Sequence, residues 1–337
     1  MGILDLVPRR GRIATSTAFA SDKSVWGTTM NEGGGNTENN ETKESLWQRA
    51  RDYPGAERAD AYDELAHRAY DEYNYIEALS LLEAAIDVLE EHEPDSYQTQ
   101  KIHIYHGIEQ SLYALGRFQE AADAACVRVE KIRNWDQKDL PAALRDLGRI
   151  CFAASKYEKS LEAHLESIEL LDPTHVELDY AVDYLNIAMA YNALQKYSDA
   201  IEFALLARDI FKEEKIVLSV AECDSELSEA YGGLGDGVNA EYYAQLALDV
   251  LTFMEISSRV PYLLFHLAVA KRLQGELEPA LDLLEKSRSG VVSETPNNFS
   301  FLVKIDREGA GILISQGKVG KANEVLRRLG TIEEIID

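Results

Sequence analysis

The sequence has little proline, almost no cysteine and no long apolar run. Eight prolines in 337 residues leave room for long helices, since an interior proline removes a backbone donor and breaks the helix. Cys126, Cys151 and Cys223 are odd in number, far apart and without metal-type spacing. They exclude a disulfide framework and a cysteine-rich metal centre, and read as small core residues of a protein in a reducing compartment. No stretch approaches the roughly 18 uninterrupted apolar residues of a membrane span, so a soluble, cytoplasmic protein without membrane contact is expected. Arg9-Arg10 is followed by Ile13-Ala14-Thr15-Ser16-Thr17, which is no apolar export signal. A phosphate-cradling glycine loop, a nucleophile elbow and an HExxH pattern are all missing, so no enzyme and no cofactor are expected. Positive charge is also short: 34 Lys and Arg against 59 Asp and Glu give a net charge of −25. A body so acidic repels phosphate backbones, which argues against nucleic acid and for a protein or peptide partner, a basic one if charge decides.

What is present is a repeat. An apolar helix, a small or polar turn, an aromatic or aliphatic residue and then a small residue three positions later recur along the chain. The post-turn residues are Tyr75, Phe118, Tyr157, Tyr197, Gly237, Leu277 and Val319, separated by 39 to 43 positions. Three residues later stand Ala78, Ala121, Ser160, Ala200, Ala240, Ala280 and Ala322, small enough to let two helices approach closely. Glycines before several of the turns suit a helix C-terminus. One such pair cannot bury its apolar stripe alone, so neighbours must stack. The expected fold class is all-α, a right-handed superhelical solenoid of about seven antiparallel helix pairs.

Leu147-Gly148, Cys151, Tyr157 and Ser160, followed by Pro173, and Ile187-Ala188, Tyr191, Tyr197, Ala200, Ala204 and Ala207 resemble the tetratricopeptide repeat family, over about residues 57 to 329. The step of about 40 residues is longer than that family's usual one and is similar to the repeats of kinesin light chains and of bacterial peptide-sensing regulators. The resemblance implies that the first helix of each pair lines a binding groove. The fifth unit departs most, with Gly237 where an aromatic is expected, and a looser junction is expected there.

The domain reading is a flexible tail over residues 1–43, a short capping helix over 44–56 that begins near Trp47 and ends at Pro54, and a repeat domain over 57–337. In the tail Arg9, Arg10, Arg12, Lys23 and Lys43 balance Asp5, Asp22, Glu32, Glu38 and Glu41, so the acidic excess lies in the helical part. Apolar islands around Leu4 and Trp26 allow the tail to dock on its own repeats or on a second copy, a route to self-association.

On the first helices, the candidates for holding a peptide or partner are Tyr113, Arg145, Arg149, Phe152, Asn186, Asn192, Glu229 and Arg272. Arg145 and Arg149, one helical turn apart, suit a carboxylate. Leu185-Asn186-Ile187-Ala188 resembles the asparagine-bearing helices of kinesin light chains and peptide sensors, which implies an amide that pairs with a bound peptide's backbone. His103 and His106 stand three apart, with His67 and Asp63 expected on the helix before them, a pattern that also suits a metal, but such histidine spacing is common on ordinary helix faces and no metal site is expected. The main expectation is a non-catalytic scaffold or adaptor that holds an extended peptide or partner helix. The alternative is a ligand-gated, peptide-sensing regulator of a partner protein.

Overall fold

The computed structural model describes residues 41–92, 96–171, 177–294 and 298–336. The expected tail, its apolar islands and any self-association through it lie outside these residues, apart from the last few positions before the first helix. Every regular element among the described residues is helical.

The chain divides into two compact units between residues 175 and 176. Within the first, α1 (Lys43–Asp52) precedes three pairs: α2 (Ala56–Asp71) with α3 (Tyr75–His92), α4 (Gln98–Ala114) with α5 (Phe118–Trp135), and α6 (Leu140–Ala153) with α7 (Tyr157–Leu170). The second holds four pairs: α8 (Glu177–Ala193) with α9 (Tyr197–Glu213), α10 (Val217–Gly233) with α11 (Gly237–Phe253), α12 (Val260–Leu273) with α13 (Leu277–Glu294), and α14 (Phe299–Ser315) with α15 (Val319–Ile336). The repeat count read from the sequence is the one observed. Each post-turn residue opens the second helix of its pair.

The first helix starts earlier than expected, at Lys43, because the Thr42 hydroxyl accepts the Ser45 N–H at 3.1 Å and so satisfies a free end donor. Leu46 and Ala50 are buried beneath it, and Trp47 packs edge-on against Tyr62 with ring centroids 6.3 Å apart. The core of the first unit is built on Leu46, Leu65, Leu82, Leu89, Ile104 and Ile150. That of the second includes Leu227, Leu263, Leu284, Val291 and Leu302. Each such side chain contributes roughly 1.5–3 kcal/mol on burial.

The turn inside each pair has one geometry. Two residues before the post-turn position the backbone is left-handed, at Tyr73, Gly116, Ser155, Gln195, Gly235, Gly275 and Gly317. The next N–H reaches back to the carbonyl five residues earlier, as in Lys196 to Tyr191 at 2.8 Å and Asp236 to Tyr231 at 2.9 Å, the hydrogen bond of a Schellman cap. The small residue that follows is fully or almost fully buried in all seven pairs, from Ala78 to Ala322.

Two expectations need correction. Cys151 and Cys223 are buried, but Cys126 is exposed: it falls on the outer stripe of α5, whose core side carries Ala121, Ala122, Ala125 and Val129. The junction at Gly237 is close rather than loose. A Cβ there would lie 2.9 Å from the Ala270 carbonyl oxygen and 2.9 Å from Leu273 Cβ, and the Gln274 amide donates to the Gly237 carbonyl at 2.9 Å. The missing side chain lets α11 seat directly on the end of α12.

Candidate functional site

The 3.6-residue period places Asp63 and His67 of α2, His103, His106, Gln110 and Tyr113 of α4, and Arg145, Arg149 and Phe152 of α6 on one stripe of each first helix. In the first unit these stripes meet. The Arg149 guanidinium lies over the Tyr113 ring, 4.6 Å from its centre, with Nη2 3.5 Å from Gln110 Oε1. Tyr113 also meets Phe118 edge-on at 5.1 Å, and Phe152 meets Tyr157 at 5.3 Å. These aromatics therefore close the turn end of their own pairs, and Tyr113 in addition carries the arginine. Arg145 is half-buried one turn before Arg149.

Two polar clusters are built partly from residues of this stripe. In one, Arg128 of α5 reaches Glu109 Oε1 and Asp146 Oδ2, both at 2.8 Å, and His106 Nδ1 lies 2.8 Å from Glu109 Oε1. Burial works against the Asp146 carboxylate, but Arg128, His106 and Arg149 outweigh it and hold its pKa below the usual range. In the other, His67 Nε2 and His103 Nε2 are 3.2 Å apart, with Asp63 Oδ1 3.7 Å from the first and Asp63 Oδ2 3.6 Å from the second. Burial pushes the Asp63 carboxyl up to about 7, helped by Asp60 and Glu64, and lowers His67 to about 4, helped by His103 and His106.

In the second unit a polar row crosses the first helices of all four pairs. Asn192 of α8 donates its amide to the Glu226 carbonyl at 3.0 Å and to Glu226 Oε2 at 2.9 Å. Glu229, one turn on along α10, pairs with Lys304 of α14 at 3.0 Å and faces His266 of α12 at 3.8 Å. A lysine two repeats away reaches Glu229, so these helices converge on one face. Burial raises the Glu226 carboxyl, and neighbouring Glu229 raises it further. Burial opposes the Glu229 charge as well, but His266 and Lys304 keep that carboxyl low. His266 is lowered by burial. Asn192 Oδ1 and His266 Nδ1 are buried without a hydrogen-bond partner.

Asn186 is buried and donates to the Val182 carbonyl of its own helix at 3.0 Å, which leaves its oxygen as the group to offer. Arg272 is bound to Glu308 of α14, and Arg259 to Glu222 of α10. Sequence reasoning missed Glu226 and Glu308. Glu226 stands three residues before the chosen Glu229, so the i, i+3 rule applied from that anchor finds it, and Glu308 faces the chosen Arg272 from the next repeat.

The arrangement offers a delocalised cation on an aromatic in the first unit, and in the second an amide beside two carboxyls whose pKa values are pushed in opposite directions. Such sets recognise the backbone, carboxylate and amine groups of a peptide. No helix among the described residues is long and apolar enough to cross a membrane.

No protein-family model matches the sequence. Response regulator aspartate phosphatase I of Bacillus subtilis (strain 168) is 33% identical over 60 residues, 18% of this chain and 15% of that protein. The match thus spans far less than two thirds of that relative. Among solved structures, the apo form of RapI is similar with a TM-score of 0.67 at 17% identity, over 83% of this chain and 98% of that one. NprR in complex with its cognate peptide NprX is similar with a TM-score of 0.58 at 14% identity, over 82% of this chain and 79% of that one. At these identities the likeness is one of fold: the chain has the tetratricopeptide-like solenoid fold.

Proposed function

We propose that this chain is a cytoplasmic, peptide-gated regulator, which takes an extended peptide on its first-helix faces and thereby changes the surface it presents to a partner protein. The observation that carries this reading is the polar row of the second unit. It holds a buried amide oxygen on Asn192 without a donor, beside the Glu226 carboxyl that burial drives towards its neutral form. A peptide N–H or amine completes such a set. The fold likeness to NprR, a structure holding its cognate peptide, and to RapI supports a gated regulator over a passive scaffold. The net charge of −25 favours a basic peptide. The regulator works by binding, without a reaction of its own.

The test is selection of peptides on the full chain from a random display library, followed by hydrogen exchange. We expect basic peptides to be enriched, and Glu226→Gln, nearly isosteric, to weaken them about tenfold, equivalent to about 1.4 kcal/mol. Bound peptide should slow exchange in helices it does not touch. Protection confined to the contacted helices would make the chain a passive scaffold, and affinity indifferent to Glu226→Gln and to Arg149→Ala would remove these faces as the site.

A further inference from the structure

We infer that Asp63, His67 and His103 form a binding site for a divalent transition-metal ion of the zinc class, which joins the first helix pair to the second. His67 and Asp63 lie one turn apart on α2 and His103 on α4, so the three donors come from the first helices of successive pairs. The distances are those of a coordination shell. A zinc ion about 2.0–2.1 Å from each of two imidazole nitrogens, at the tetrahedral angle, holds them about 3.4 Å apart. The two Nε2 atoms stand at 3.2 Å, and the Asp63 oxygens at 3.7 and 3.6 Å from them. The imidazoles stack with centroids 5.3 Å apart, presenting both Nε2 atoms to the same carboxylate.

The neighbouring cluster of His106, Glu109 and Asp146 also has three potential ligands within reach of one another, but there Arg128 supplies the positive charge. Asp63 has no such partner: among the described residues no Lys or Arg lies within ion-pair distance of it, and its buried Oδ1 has no hydrogen bond. A carboxylate so placed is costly unless a cation neutralises it. Two imidazoles exclude calcium and magnesium, which take oxygen ligands, and select zinc, cobalt, nickel or copper. The three residues are partly exposed rather than sealed, and a tetrahedral ion would take its fourth ligand from outside this set. The inference does not depend on the peptide-gated reading.

The full chain, stripped with a chelator, is titrated with Zn2+ against a competing chromophoric chelator, and separately with Co2+, whose visible absorption reports tetrahedral nitrogen and oxygen ligation. We expect one ion per chain. His67→Ala and His103→Ala should each weaken it at least about tenfold, whereas His106→Ala should leave it unchanged. Zn2+ should raise the melting temperature of the wild-type chain, as any ligand of the native state does, and leave that of His67→Ala unmoved. Asp63→Asn, which keeps shape and removes charge, guards against a variant that merely fails to fold. It too should weaken the ion while its circular dichroism stays helical. Binding by His67→Ala equal to that of the wild type, or loss of binding in His106→Ala alone, overturns the site.

Discussion

Among single residues, Arg128 has the clearest task. Its side chain is 9% exposed, and it faces Glu109, fully buried, and Asp146. Removing one partner of a buried ion pair strands the others, so Arg128→Met should destabilise the first unit by about 3–5 kcal/mol in chemical denaturation. Acid should return part of the loss, since protonated carboxyls no longer need the cation. A loss under about 1 kcal/mol would mean that water screens the network. The network itself was hard to read from the sequence. Arg128 lies on a second helix, where no groove residue was sought, and its partners come from two other helices, 19 and 18 positions away. Glu226 escaped for a different reason: Glu229 was chosen on α10, and the residue one turn before it was not. The sequence paired His103 with His106 and expected His67 and Asp63 beside them; histidine is rare here, with seven in the chain, which made His67 and His103 visible, but His106 joins Glu109 and Asp146 instead.

Helices and turns were far easier to read. The seven post-turn residues open seven helices, because the turn between tightly packed helices tolerates only a few geometries. A left-handed residue must stand two positions before each. Glycine adopts that conformation freely, whereas other residues resist it by roughly 1–2 kcal/mol. Gln195, exposed at φ 58°, bears that strain without a burial role. Gln195→Gly should therefore raise the melting temperature, by the equivalent of about 0.5–1 kcal/mol once the greater freedom of the unfolded glycine is subtracted. The opposite change belongs at Gly148, where a Cβ would stand 2.4 Å from His164 Nε2 inside the α6–α7 contact. Because His164 is fully buried it has little room to withdraw, so Gly148→Ala should destabilise by about 1–3 kcal/mol. A melting temperature unchanged by either substitution would contradict the turn and packing arguments respectively. The Leu147-Gly148 dipeptide was one of the residues that carried the family resemblance, and the close contact gives its physical reason. Gly237 misled for the same cause: absence of a side chain suggested a gap, but it permits contact.

Across the whole molecule, charge dominates. A net charge of −25 repels itself in the compact state, and salt relieves that repulsion. Buried ionisable groups add a pH dependence whose sign follows from their shifts. Glu226, Asp224 and Asp306 have carboxyls raised by burial, so the folded chain keeps protons that the unfolded chain has already released. Their cost grows as pH climbs from the ordinary carboxylate range, about 4, through the raised values, so stability falls with rising pH. His266 is shifted the other way by burial: the unfolded chain takes up a proton near pH 6.5 that the folded one refuses, so stability is lost as pH drops below that value. Glu226 is faced by Asn192 from α8, Lys304 from α14 and Glu222 and Glu229 on its own helix, and His266 by Glu229 and Lys304. Those neighbours change the size of each contribution and not its direction. Taken with the relief of acidic repulsion on partial protonation, these signs place the highest melting temperature at mildly acidic pH, about 6 to 7, in chelator-containing buffer of low ionic strength. Added salt should raise the melting temperature most at pH 8, where the repulsion is greatest, and least near pH 6. In Glu226→Gln the fall between pH 6 and pH 8 should be shallower than in the wild type, because one proton-linked cost has been removed while the net charge at pH 6 hardly changes. A melting temperature that rises steadily to pH 8, or a Glu226→Gln profile parallel to the wild type, would show that Glu226 is ionised in the folded chain throughout that range, and that peptide amines would meet a carboxylate already formed.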